Sequence, residues 1–251
     1  MPWLVSAIAA PCSQKGTGGS SESCAAWTPT RQDSHVTKRS GPDRRLARLR
    51  YKHYAATYDR LAPFTRGLRR AAIEKLDLQP GETVIDIACG TGLSFALIQE
   101  RIGPEGRLIG LDLSDAMLEK AKDRCAEHGW ANVELACGPV EEVEIPGLAD
   151  AAVFVLTHDV LQSPAGLANV VGSLKPGGRV AVGSAKHPPR WNLPGLLYMR
   201  YAMGRYTTTR ENVERPWVHL AQLVPDLEVR PLMFGTMFVA WGQAPAGNRA
   251  A

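Results

Sequence analysis

The stretch VIDIACGTGLS, residues 84–94, decides the fold. Apolar and β-branched residues run as far as Ile87, the chain enters Gly90-Thr91-Gly92, and a helical rhythm resumes at Leu93. A buried strand therefore leaves through a turn that glycine tolerates and most side chains resist. Just upstream, Pro80-Gly81 marks a turn, which places the strand over residues 83–87 and a helix over residues 93–101. GRLIGLDLS supplies a second strand over residues 107–112, and Ser114 caps a helix running to about Glu127. NVELAC gives a third strand, DAAVFVLT a fourth, residues 165–174 a helix, and KPGGRVAVGSA a turn and a fifth strand. A helix near residues 218–223 then precedes LEVRPLMF and TMFVAWG, whose short link at Gly235 predicts a hairpin and an antiparallel last strand. This alternation predicts an α/β fold: a Rossmann-like, seven-stranded, mostly parallel sheet with helices on both faces. Ahead of it, Leu46, Leu49, Tyr54, Tyr58 and Leu61 keep helical spacing over residues 45–61. Leu68, Ala72 and Leu76 repeat the rhythm over residues 65–76.

Composition narrows the class. In 251 residues no apolar run approaches the length that crosses a bilayer, so the chain suits one soluble domain with appendages. The formal charge of +4 is concentrated in residues 1–50, whose eight Lys/Arg and three Asp/Glu give +5 and leave −1 for the remainder. A nucleic-acid partner would need a basic stripe on the folded body, and none is evident beyond Arg44 to Arg70. Cys12, Cys24, Cys89, Cys125 and Cys137 have no CxxC spacing, which argues against a disulfide framework or zinc site and for a reduced, cytoplasmic setting. Residues 1–41, rich in Ser, Gly, Thr and Pro, read as a disordered basic tail. Residues 42–245 form the domain, and 246–251 a flexible end.

In an open α/β sheet, ligands sit at the carboxyl ends of the strands where connections diverge. The Gly90 turn is such a place, and glycine there lets backbone approach a ligand. Phe95 stands where a dinucleotide fingerprint wants its third glycine, which counts against a nicotinamide-binding oxidoreductase. Asp112 ends the second strand, where a carboxylate can accept both hydroxyls of a ribose. Asp86 adds negative charge to the same pocket, unfavourable beside a pyrophosphate and favourable beside an amino group or cation.

VIDIACGTG, IGLDLSDAMLEKAKDR and LKPGGRVAV, in this order and at these distances, resemble the class I S-adenosylmethionine-dependent methyltransferases. The resemblance is strongest to the branch holding ubiquinone/menaquinone and phospholipid N-methyltransferases, whose opening YDRLAPF also resembles. It covers roughly residues 51–184. It implies S-adenosyl-L-methionine as cofactor, with Gly90 and Gly92 beneath the methionine part, Ala88 beside them and Asp86 near the amino group. It further implies Asp112 on the ribose, Leu113 and Met117 on the adenine, and Thr157 and His158 near the sulfonium. The family often has an acidic residue where this chain has Pro139, leaving the Val140 amide as the adenine contact.

On the acceptor side, His158 followed by Asp159 is the best-placed base, and Tyr58, four residues from Tyr54, is expected to share a helical face at the cofactor entrance. The stretch 187–217 is expected to form a helical lid, with Trp191, Tyr198, Tyr201 and Tyr206 interleaved with Arg200, Arg205 and Arg210. An apolar, aromatic lid suits a hydrophobic or aromatic small molecule, quinone-like or a secondary metabolite, ahead of an amino lipid. A membrane-surface role for this basic stretch is the minor reading. No metal cluster is evident, and the oligomeric expectation is a monomer or homodimer. Two other readings stay open: a member that keeps the cofactor for non-methylating chemistry, and a binding module with a degenerate pocket at Pro139.

Overall fold

The computed structural model describes residues 41–246. The expected tail, 1–41, and the short end, 246–251, lie outside the described residues apart from Gly41 and Ala246.

Strand β1 (Thr83–Ile87) pairs in parallel with β2 (Arg107–Asp112) on one side and with β4 (Ala149–Val155) on the other. Beyond β2 lies β3 (Val133–Cys137), and beyond β4 lies β5 (Leu174–Ala185). The sheet is completed by β7 (Met237–Gln243), antiparallel to β5, and by β6 (Glu228–Leu232), antiparallel to β7, in the order β3-β2-β1-β4-β5-β7-β6. The predicted seven strands and antiparallel last strand are those observed.

Alternation along β1 and β2 feeds two cores. Val84 and Leu108 face Ala72 of α2 (Ala62–Glu74) and Leu76 just past it, Phe95 and Ile98 of α3 (Phe95–Ile102), and Leu118 of α4 (Asp115–His128). Ile85, Ile87, Ile109 and Leu111 face the other way. They meet Leu161 of α5 (His158–Leu161), Leu167 and Val170 of α6 (Pro164–Gly172), and Leu220 of α8 (Leu220–Leu223). Because both faces are covered, the central strands are apolar almost throughout, which is why they read as continuous runs. The remaining helices are α1 (Arg44–Tyr54) and α7 (Leu193–Tyr206).

The single helix expected over residues 45–61 is two pieces. α1 stops at Tyr54, and Tyr58–Leu61 form a 3-10 turn that leads into α2. The break has a cause: Asp59 in that turn accepts from Thr91 Oγ1 at 2.5 Å and from Arg124 at 2.6 Å, so the chain must leave the helical path to reach the glycine loop. Tyr54 and Tyr58 consequently do not share a helical face. Leu46 and Leu49 also point outward, and Ala47 is the buried residue of α1.

At the turn after β1, Gly92 has φ +76°, and a Cβ there would lie 2.7 Å from the Phe95 ring. Gly92→Ala is expected to destabilise the fold by about 2–4 kcal/mol, combining left-handed strain with overpacking, read as the midpoint shift in urea unfolding.

Candidate functional site

The connections of β1 diverge toward β2 and β4, and a crevice opens at the carboxyl ends of these three strands. Ala88 and Leu156, the residues that immediately follow β1 and β4, both take left-handed φ, 51° and 58°. Such backbone costs on the order of 1 kcal/mol or more per residue and persists where the surroundings enforce it. Here both residues line the cavity.

Asp112 closes the junction between β1 and β2. Its Oδ2 accepts from the Gly90 amide at 2.9 Å and its Oδ1 from the Ser114 amide at 2.8 Å. Burial pushes its carboxyl up to about 6, opposed by these backbone donors. Asp86 lies deeper, 1% exposed, with Oδ2 lacking a protein partner. Burial raises it to about 7; nearby Arg69 opposes the rise and Asp112 adds to it. Thr91 is fixed from outside, since Arg124 Nε donates to its carbonyl at 2.8 Å while its hydroxyl engages Asp59.

The cavity, its open mouth included, takes in about 970 Å³. Of the residues singled out in the sequence, Ala88, Gly90, Asp112, Leu113, Met117, Val140, Thr157, His158, Asp159 and Tyr58 line it. A Cβ on Gly90 would approach only Tyr58, at 3.9 Å, so this turn borders open space. Ser114 Oγ, Thr157 Oγ1 and His158 Nε2 are buried and lack protein partners. Burial lowers the His158 pKa, against Asp159 and a backbone hydrogen bond with Glu211, so its imidazole is neutral at pH 7.

Other expectations change. Asp86 and Gly92 do not form cavity walls: one supports the floor from beneath and the other shapes the turn. Asp159 is consumed by structure, because its carboxylate accepts from Thr208 N at 3.0 Å, Thr208 Oγ1 at 2.7 Å and Thr209 N at 3.4 Å. The stretch 187–217 is not an aromatic lid. Trp191, Tyr198 and Tyr201 are 71%, 53% and 63% exposed and outside the cavity wall, and Arg205 lies over the Tyr54 ring at 4.5 Å. Only Tyr206 of the five expected lid residues reaches the wall.

The roof is α1. Ala47 and Tyr51 face the cavity, flanked by Arg44 and Arg48. Tyr51 Oη donates to the Tyr206 carbonyl at 2.9 Å, Arg50 to the Thr207 carbonyl at 2.6 Å, and the Asp43 amide to Thr208 Oγ1 at 2.9 Å. Asp159 thus anchors the very segment to which α1 is tied. The leucine rhythm concealed this, because a helix that roofs a cavity turns small and polar residues inward. Glu141, two residues past Pro139, also escaped the sequence reading; it brings a carboxylate to the cavity wall, held by Ser163 and by Arg44 at 3.3 Å.

An adenosyl group with a charged amino-acid end fits this donor set. Apolar walls at Leu113 and Met117 adjoin the Asp112 carboxylate, a glycine turn without side chains, and polar atoms that the protein leaves unpaired. Among the described residues there is no cluster able to hold a metal ion.

Comparison with known proteins agrees. Residues 84–178 match the family model described as a methyltransferase domain. This segment carries β1 to the start of β5 of the sheet described above, so the match and the strand order together mark a methyltransferase domain with a Rossmann-like fold. A demethylmenaquinone methyltransferase of Listeria monocytogenes is 33% identical over 142 residues, covering 54% of this chain and 59% of that protein. A malonyl-(acyl-carrier protein) O-methyltransferase of Anoxybacillus flavithermus is 30% identical over 122 residues, covering 49% and 45%. The chain therefore spans about half the length of the curated relatives it matches. A SAM-dependent methyltransferase from Aquifex aeolicus superimposes with TM-score 0.56 at 18% identity, covering 76% of this chain and 98% of that one. The N-methyltransferase NodS from Bradyrhizobium japonicum, solved with S-adenosyl-L-homocysteine, gives 0.59 at 19%, covering 79% and 98%.

The two raised carboxyls make stability depend on pH. Unfolded aspartates titrate near 3.9, so between about pH 4 and 8 these two groups bind more protons in the folded chain than in the unfolded one, and their contribution to stability falls as pH rises. Asp86→Asn is expected to raise the thermal midpoint at pH 8 and to leave it nearly unchanged at pH 4, measured by differential scanning calorimetry.

Proposed function

We propose that this chain binds S-adenosyl-L-methionine in the cavity beneath α1 and transfers its methyl group to a small hydrophobic or aromatic acceptor. The observation that carries the reading is the junction at Asp112, where one buried carboxylate holds the glycine turn while bordering an otherwise apolar cavity. In this reading Asp112 accepts the ribose hydroxyls, and Leu113, Met117 and Val140 enclose the adenine. Asp86 contributes negative charge toward an ammonium, and the Gly90 turn leaves backbone open to the amino-acid end. Bound there, the cofactor supplies an electrophilic methyl group on a sulfonium.

Methyl transfer is a displacement, so the protein's main task is to hold the acceptor close and aligned. Tyr51, Tyr58 and Tyr206 present rings to the cavity. Burial raises the Tyr51 and Tyr58 phenol pKa values, so both remain neutral donors. Where the acceptor is a hydroxyl, the neutral, unpartnered His158 Nε2 takes its proton. The apolar walls and the demethylmenaquinone methyltransferase among the relatives favour a quinone-like acceptor.

Calorimetric titration tests the cofactor: S-adenosylmethionine and S-adenosylhomocysteine are expected to bind at micromolar concentration, and NADH and NADPH not to bind. Asp112→Ala is expected to cost roughly 1–3 kcal/mol of that affinity, and unchanged affinity would remove the ribose assignment. With a hydroxyl acceptor, His158→Gln is expected to lower turnover about 100-fold while preserving cofactor affinity. Wild-type activity should fall on an acid limb below pH 6.5 that the variant lacks. Equal pH profiles would show that His158 moves no proton.

A further inference from the structure

The solvent side of α7 is apolar. Leu193, Leu197 and Tyr201 lie on its outer face at 65%, 72% and 63% exposure, while Met199 and Met203 are buried on the inner face. A helix apolar on both sides is ordinarily buried on both, so among the described residues the outer side of α7 is a face without its partner. The patch continues off the helix. Trp191 precedes it, and Asn192 donates its side-chain amide to the Phe234 carbonyl at 3.1 Å, which sets the β6–β7 turn beside the start of α7. At that turn Met233 and Phe234 hold successive left-handed φ values of 46° and 54°, with Phe234 81% exposed. Two strained residues in succession thus carry a benzyl group into water.

Charge selects the occupant. From Arg190 to Arg210 the chain holds four arginines and no acidic residue, and Arg190, Arg200 and Arg210 are exposed. A second copy docked face to face would set this wholly basic segment against itself. An anionic surface would be attracted to it, and aromatic side chains such as Trp191, Tyr198 and Tyr201 favour the boundary between headgroups and acyl chains. Among the described residues no helix is long and apolar enough to cross a membrane, so the contact is peripheral.

We infer that the outer face of α7 and the Phe234 turn dock reversibly onto an anionic lipid bilayer. The position matters for the cavity, because α7 ends at Tyr206, whose carbonyl accepts from Tyr51 of the roof. Docking through α7 sets the roof beside the layer into which hydrophobic molecules partition. The inference needs no ligand in the cavity, so it stands or falls independently of the cofactor and acceptor proposed above.

The test is sedimentation of the full-length protein with vesicles of pure phosphatidylcholine and of three parts phosphatidylcholine to one part phosphatidylglycerol. Binding is expected to the anionic vesicles, weakening as salt rises. A Trp191→Ser/Leu197→Ser/Phe234→Ser variant is expected to lose more than about tenfold in partition coefficient with its thermal midpoint unchanged. Should that variant not fold, Arg190→Gln/Arg200→Gln is expected to abolish the preference for anionic vesicles. Absence of vesicle binding overturns the inference. So does equal binding by the folded triple variant or retention of the anionic preference by the arginine variant, either of which would assign the attraction to basic residues elsewhere, such as those in residues 1–50. A concentration-dependent dimer that the triple variant loses, seen by light scattering, would overturn it in favour of a second copy.

Discussion

The site depends on one carboxylate. Asp112 sits at the end of β2 and accepts from the amides of Gly90 and Ser114, so it joins the turn after β1 to the start of α4. A parallel pair of strands otherwise holds its ends together only through the slanted ladder between them. With both oxygens engaged by backbone, the side chain cannot swing away, and the crevice above it keeps its shape. The knot of Asp59, Thr91 and Arg124 braces the same turn from the far side. Two independent sets of hydrogen bonds thus meet on two adjacent residues, Gly90 and Thr91.

This arrangement burdens the fold electrostatically. Asp86 and Asp112 are buried near one another, and both titrate well above the ordinary carboxylate range. Arg69 provides partial balance from α2, itself at a cost, since burial lowers its own pKa. A binding site commonly stores such unfavourable charge, because a ligand of opposite charge relieves it on arrival. The unpartnered oxygens of Ser114 and Thr157 and the free nitrogen of His158 belong to the same pattern. Among the described residues, the buried side-chain atoms without partners gather at the crevice.

Much of this was legible in the sequence because the sheet is doubly covered. Strands buried on both faces must be apolar throughout, and a run such as VIDI between turn residues has few other readings. Asp86 and Asp112 stood out for the same reason, as charges at the ends of such runs. The roof was not legible. Periodicity reports which face of a helix meets apolar core, and α1 meets a cavity instead, so its leucines point outward and Ala47 and Tyr51 point in. The lid expectation failed by the same logic in reverse. Aromatic residues in α7 suggested an inner lining, yet the inner face is met by Met199 and Met203, and most of the aromatics face solvent. Asp159 looked like a catalytic partner from adjacency alone; its engagement with Thr208 and Thr209, some fifty positions downstream, leaves no local trace.

The attachment of α1 has a kinetic meaning. The helix is tied to residues 206–208 by a tyrosine hydroxyl, a guanidinium and a backbone amide, and through Arg44 and Arg48 to Glu141, Glu142 and Asp115, while a short turn links it to the rest of the fold. If these ties open together, the helix leaves as a unit while the sheet and its ligand-facing turns stay intact. Residence time in the crevice then follows the breathing of this strap as well as the affinity of the walls beneath it. Two chains with identical crevices but different straps would hold the same molecule equally tightly at equilibrium only if opening and closing changed together. Variation at Arg50 and Thr208, which tie the strap and do not line the cavity, can thus tune how long a molecule stays without altering what the crevice recognises.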